Sequence, residues 1–525
     1  YNLSMDSTSS SPLQVIEPRL RSFLPADLYV SAWVDPSPTT LEKVFTHLRT
    51  FQRILYDYTS RHLSDKPPRP GEVRQGWQRG TLMFTDLAGF TRLMEANASK
   101  GRDGAASLLS VLNAYFAEMI EIISKADGDL LEFTGDALLV LFPEDKRKKD
   151  DIVKAVRAGL RMQRAMSHFE EIETPQGKLH LGMRIGIHTG KFLAADVGTP
   201  RRMEHVLLGG AVQQAKLTES AGQVGKVCLS EAAFERIKED FLFEDHQSKD
   251  GKHKYKLVVD NFSEKELGEY EISSSTRRRL SNPLLMDRSV AGLISEITKI
   301  LDSIEPLASF LPSPILNLLV ESAAKRHISP DFPVPTVVFV NLIGLPELVD
   351  RALPGQELKI INTLSQTVAR INAAIEARGG VLKKVTYHIS GSDMVIYFGV
   401  LNAHTDDQKR AASVALEIRD IIQNVKVPSV GGVTMEASCQ IGINLGAAFS
   451  AEVGEPNGRR EFNLLGDTVN VAARLMDRAL PNQILMSQPV YEEIKDSFSS
   501  KYLGDVSLKG KGVPTPLFEL VGTEE

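Results

Sequence analysis

Residues 104–126 read GAASLLSVLNAYFAEMIEIISKA, with apolar side chains at i, i+3 and i+4. That spacing marks one face of an α-helix. Residues 358–378, LKIINTLSQTVARINAAIEAR, carry the same pattern. Each stretch runs into glycine, Gly128 or Gly379-Gly380, as helix stops do. Ahead of each lies an apolar, strand-like run, 81–86 and 336–341. Behind each comes a strand–turn–strand, 129–142 and 381–398. Either half then continues with a helix, a strand containing IGI, a helix opened by LLG, and a short strand into a last helix. Strands and helices interleave, yet hairpins are present. The pattern therefore predicts an α+β fold with a mostly antiparallel sheet in each half.

The resemblance between halves is an internal repeat. LMFTDLAGF around Asp86 matches VVFVNLIGL around Asn341. MRIGIHTG (183–190) matches CQIGINLG (439–446), and HVLLGGAVQQAKL (205–217) matches FNLLGDTVNVAAR (462–474). KVCLSEAAFERI (226–237) matches QILMSQPVYEEI (483–494). Lead-ins repeat as well, with SFLP at 22–25 and 309–312 ahead of apolar helical text. The expected organisation is a tail and helical extension over 1–76, a first domain over 77–261, a linker over 262–332 that turns helical from about 290, and a second domain over 333–525.

Composition narrows the class. The 525 residues are 42% hydrophobic and 24% charged, with net charge −6, as expected of a water-soluble globular chain with ample core. No strong basic patch invites nucleic acid; Arg277-Arg278-Arg279 sits among serines as a solvated linker would. No apolar run in the sequence approaches the ~20 residues of a membrane span. The N-terminal YNLSMDSTSSS lacks the basic start and apolar stretch of a signal peptide and reads as a flexible tail. Cys228 and Cys439 lie in apolar strand-like runs, which predicts buried free thiols in a reducing cytoplasm.

The candidate chemistry is divided between the repeats. In the first, Asp86 ends a strand, and a loop with Gly89 precedes a helix. Backbone N–H groups at a helix start can cradle phosphate, and a carboxylate there can hold a divalent cation. Asp136 follows in EFTGDALLVLF at a hairpin tip. Neighbouring strands would bring both acids to one sheet edge, a pair suited to two Mg²⁺ or Mn²⁺ ions. The structural alternatives are a helix N-cap for Asp86 and turn chemistry for Asp136. In the second repeat, Asn470 and Arg474 stand at i and i+4 of DTVNVAARLM and share a helix face. An arginine fork suits phosphoryl oxygens, and an asparagine can fix a hydroxyl; a solvated helix face is the alternative. The first repeat has Gln213 and Leu217 there, and the second has Asn341 and Ser392 where the first has its acids. The losses are complementary. Two repeats packed head to tail would make one cleft with Asp86, Asp136, Asn470 and Arg474, and another with none of them.

At FTDLAGF, FTGDALLVLF and LLGDTVNVAARLM the chain resembles the class III nucleotidyl cyclases, in particular the soluble adenylyl cyclase type with tandem cyclase homology domains, over about residues 80–520. The resemblance implies two ferredoxin-like βαββαβ-type domains with helices on one face, forming an intramolecular pseudo-twofold pair. It implies conversion of ATP to 3′,5′-cyclic AMP and pyrophosphate. Asp86 and Asp136 would bind two metal ions, the backbone of Leu87, Ala88, Gly89, Phe90 and Thr91 the phosphates, Asn470 the ribose, and Arg474 the α-phosphate charge. Lys509 or Lys511, in LKGKG, would meet the terminal phosphates, and Lys191 stands where many relatives have a phosphate-contacting arginine. A basic turn is the structural alternative for the LKGKG lysines.

Base selection would fall to His388 and Asn463, which replace the residues usual there, with Lys384 in reach if the hairpin shifts. Asparagine can donate or accept, so ATP is the expected substrate with GTP as the alternative. In the second cleft, where the soluble type holds bicarbonate, the matching residues are Glu132 and Lys216; an internal pair between them predicts no bicarbonate control. The rival reading is a catalytically inactive, nucleotide-binding regulatory module. Both half-sites lie in one chain, so a monomer would suffice, and further regulatory domains in a longer parent protein are plausible.

Overall fold

The computed structural model describes residues 11–267, 285–325, 328–456, 458–508 and 511–524. The tail 1–10, Arg277-Arg278-Arg279 and Lys509 therefore lie outside the described residues.

Each repeat folds on its own sheet. In the first the strand order is Asp129–Thr134, Ala137–Pro143, Arg74–Ala88, Gly182–Thr199, Val227–Leu229, Lys254–Val258, Phe243–Gln247, with Arg202–Leu208 paired to one end of Gly182–Thr199. In the second it is Val381–Tyr387, Ser392–Phe398, Thr336–Ile343, Ser438–Leu445, Gln483–Ser487, Thr515–Thr523, Phe498–Val506. The fourth and fifth strands of each order run parallel, and the other pairings within the two orders are antiparallel where a register is defined. The expected α+β class, twice over, is what the chain adopts.

Alternation along the central strand explains the layering. Met83 joins Leu138, Val140, Ile185 and Ile187 on one sheet face, under the helices Gly101–Lys125 and Asp151–Ala165. Leu82 and Phe84 face the other way, onto Val212 and Ala215 of the helix Gly210–Ala221 and onto Tyr387 of the second lobe. The second lobe repeats this, with Val338 and Val340 under Glu357–Ala377 and Asp407–Gln423, and Val337 and Phe339 against Asp467–Arg478. The expectation of helices on one face is thus corrected. Both faces of a central strand are apolar, so both must be covered.

Gly101–Lys125 is long and apolar enough, by length and composition, to cross a membrane, contrary to the run count above. Its Leu108, Leu112, Tyr115, Phe116 and Met119 are all spent in the first core. The N-terminal helices and the linker helices, expected as separate segments, form one bundle. Leu41, Leu48, Phe51 and Leu55 of Pro38–Tyr58 pack with Leu293, Ile297, Leu301 and Ile304 of Val290–Ala308. Phe462, from the second-lobe hairpin Phe449–Gly454/Arg460–Leu465, enters the same core. At about 1.5–3 kcal/mol per fully buried side chain, such a core ties the bundle firmly to that hairpin. Cys228 and Cys439 are buried and unpaired, as expected.

Candidate active site

Asp86 lies opposite Arg184 in the antiparallel pairing of Arg74–Ala88 with Gly182–Thr199. Its carboxylate accepts from the Arg184 guanidinium at 2.5 Å. The helix Phe90–Ala98 is capped at Gly89 without a side-chain bond, so Asp86 is not its N-cap. Gly89 has φ 94°, and a Cβ there would meet the His180 carbonyl oxygen at 2.6 Å; only glycine fits this corner. Leu87 and Phe90 bury their side chains in the first core, so these two can offer the site only backbone.

Asp136 occupies the tight turn between Asp129–Thr134 and Ala137–Pro143, where Gly135 has φ 64°. Ala137–Pro143 pairs with Arg74–Ala88, so both acids reach one edge. Burial and the nearby Asp86 charge push the Asp136 carboxyl up to about 7. Two crowded carboxylates are the donor chemistry that suits hard divalent cations. Among the described residues no cluster of three or more His, Cys, Asp or Glu side chains could hold a metal. Further ligands would have to be backbone, water or substrate oxygens.

The second lobe meets this edge. Asn463 donates from Nδ2 to the Gly135 carbonyl at 3.1 Å, and its Oδ1 accepts from the Leu464 N–H. A Cβ on Gly466 would lie 2.8 Å from Sδ of Met94, in the helix that follows Gly89. The helix Asp467–Arg478 therefore begins against both acid-bearing loops. Asn470 is exposed on it. Arg474 Nη1 is buried without a hydrogen bond and lies 3.6 Å from the Asp467 carboxylate. Asp467 also holds Lys511 at 2.6 Å, which brings that lysine beside the arginine.

Four expectations require correction. Lys191 lies over the Trp77 ring at 4.8 Å, near Asp350 and Glu357. It pairs with Arg79, seven residues along the strand from Arg184; at about 3.3 Å per residue that is roughly 23 Å from the acids. His388 offers no free ring nitrogen as a base reader: Nδ1 is 3.0 Å from Asp393 and Nε2 3.2 Å from Asp477. Burial opposes its charge, but these bonds outweigh it and raise the imidazole to about 10. Lys384 is held between Glu132 and Glu461, at 3.5 and 3.6 Å. The Glu132–Lys216 pair does not form. Glu132 accepts from Thr386 Oγ1 at 2.8 Å, while Lys216 turns to Glu219 at 2.7 Å.

Sequence reasoning missed Arg184 and the fully buried Glu219, 3.3 Å apart. A signal existed. Arg184 matches Gln440 in the aligned IGI block, a charged-to-neutral change parallel to Asp86 and Asn341.

Two such sheets, face to face with one acid-bearing edge, define a tandem nucleotidyl-cyclase fold. A sequence model of the adenylate and guanylate cyclase catalytic domain matches residues 73–259 and 330–518, and the chain belongs to that family. Adenylate cyclase type 10 of Mus musculus is 24% identical over 462 residues, covering 85% of this chain and 26% of the relative. The Homo sapiens protein is 24% identical over 461 residues, with 85% and 26% covered. This chain thus spans about a quarter of the length of these curated relatives. A class III adenylyl cyclase-like ATP-binding protein from Pseudomonas aeruginosa superposes with TM-score 0.52 at 14% identity, covering 86% of this chain and 93% of that one, which supports the fold.

Proposed function

We propose that the chain is an adenylate cyclase that converts ATP to 3′,5′-cyclic AMP and pyrophosphate at one cleft between its lobes, the other cleft being degenerate. The observation that carries this reading is the complementary loss: Asp86 and Asp136 in one lobe, Asn470 and Arg474 in the other, with Asn463 bonded to the acid-bearing turn across the seam. Asp86 and Asp136 would hold two Mg²⁺ or Mn²⁺ ions, which supply charge neutralisation and an acidified 3′-hydroxyl. The Leu87–Thr91 backbone receives phosphate oxygens at the uncapped helix start. Asn470 orients the ribose. Arg474, whose Nη1 makes no hydrogen bond and has only the 3.6 Å ion pair with Asp467, meets charge on the α-phosphate as the 3′-oxygen attacks and pyrophosphate departs. Lys511, held beside Arg474 by Asp467, would meet the leaving phosphates, with Lys509 of the same LKGKG stretch as the alternative. One chain supplies both half-sites, so a monomer suffices, and its buried free thiols suit the cytoplasm.

A second reading, nucleotide binding without turnover, is favoured by one observation: His388 and Asn463 both have their polar atoms engaged by protein. The purified chain incubated with ATP or GTP and Mg²⁺ or Mn²⁺ separates the two. Cyclic AMP should form, Asp86→Ala should abolish it, and Asn341→Ala should retain it. Nucleotide binding with no cyclic product under either metal selects the second reading; cyclic GMP in excess of cyclic AMP selects a guanylate cyclase.

A further inference from the structure

Arg184 stands between two carboxylates. One is Asp86, whose Oδ2 takes the Nη2 hydrogen at 2.5 Å. The other is Glu219, fully buried on the helix Gly210–Ala221, whose Oε1 lies 3.3 Å from the same nitrogen. Glu219 Oε2 is occupied by Lys216 at 2.7 Å, but Oε1 has no hydrogen bond. Oε1 meets Arg184 only as an ion pair at 3.3 Å, longer than a charge-assisted hydrogen bond, so the buried oxygen is incompletely satisfied. The partner is at hand.

We infer that Arg184 has two seats, and that Glu219 is the positioning residue that draws it off Asp86 when a divalent cation binds there. This rests on the metal reading of Asp86. With the cation absent, the guanidinium neutralises Asp86 and keeps the acid pair from repelling. With the cation present, the metal and the guanidinium compete for Asp86 Oδ2, and repulsion between the two positive charges favours moving Arg184 away. Arg184 then moves toward Glu219, its 3.3 Å contact with Oε1 shortening to a charge-assisted hydrogen bond, and remains beside the site as a positive charge. Glu219 thus sets how strongly Arg184 competes with the metal. The second lobe, which has no acid at Asn341, has Gln440 and Met476 at the places of Arg184 and Glu219.

The test is Mn²⁺ binding to the whole chain, read by electron paramagnetic resonance of the free ion without nucleotide. E219Q should weaken Mn²⁺ binding ~10-fold and R184Q should strengthen it at least ~3-fold, while E219Q in the R184Q background should change it less than ~2-fold. E219D keeps the charge and withdraws the seat by one methylene; it should weaken binding ~3-fold or more only while Arg184 is present. Equal effects of E219Q with and without Arg184, or no effect of E219D in folded protein, overturn the two-seat inference and leave a plain charge effect. Wild-type protein whose Mn²⁺ binding is absent, or is unchanged in D86A, overturns the metal reading itself.

Discussion

The two lobes share a fold and differ in how they treat one cross-strand position. In the first, Asp86 faces Arg184, and Glu219 and Lys216 continue the chain of charges at 3.3 and 2.7 Å. In the second, the same register sets Asn341 opposite Gln440, whose Oε1 accepts from Asn341 Nδ2 at 2.9 Å. Met476 and Ala473 stand where Glu219 and Lys216 would be. The second lobe has not simply lost an acid. The acid, its counter-ion and the counter-ion's anchor have gone together, replaced by a neutral amide pair over an apolar side chain. Glu219 is fully buried, and a buried carboxylate is tolerated only with its partners, which fits an apolar side chain at that place in the lobe without the arginine.

The largest effect that would break this comparison is at Arg474. Arg474→Ala should lower kcat ~10²–10³-fold in a cyclic-product assay, while Leu217→Ala at the matching place should leave it within about twofold. Equal losses would mean that the clefts are not divided as described. Next, Asn341→Asp should lower unfolding free energy by about 2–4 kcal/mol in urea titration, because Asn341 is fully buried and its amide donates to Ser390 O and Gln440. Adding Gln440→Arg should recover part of that loss. Asp86→Asn should be far milder, since Arg184 keeps Glu219.

His388 sharpens the contrast through pH. Its folded imidazole is raised to about 10, against an ordinary value near 6.5. The stability it contributes is complete below about pH 6.5 and declines as pH rises through 10, with a slope of at most roughly 1.4 kcal/mol per unit. Urea titrations at pH 7, 8 and 9 should show that decline in wild type and a flatter response in His388→Gln. The smallest effect concerns bicarbonate. Glu132 is buried with Thr386 and Lys384 already bonded to it, so bicarbonate at constant pH should change turnover less than about twofold. A several-fold rise would show that the second cleft accepts an anion despite Glu132.

Much was legible in the sequence because it depends on local rules. Helical spacing located Gly101–Lys125 and Glu357–Ala377 to within a few residues. The repeat fixed two lobes of one class, and Asp86, Asp136, Asn470 and Arg474 stood out because each was present in one copy and absent from the other. Tertiary structure alone decided which side chain each charge would meet. Arg184 and Lys191 lie on one strand, and only register shows that the former faces Asp86 while the latter sits far away on Trp77. Lys216 and Lys384 each had a choice of acids, settled by packing. Periodicity is a property of neighbours in the chain, whereas ion pairing depends on distances of a few ångströms between residues remote in it, and one register shift redirects every side chain.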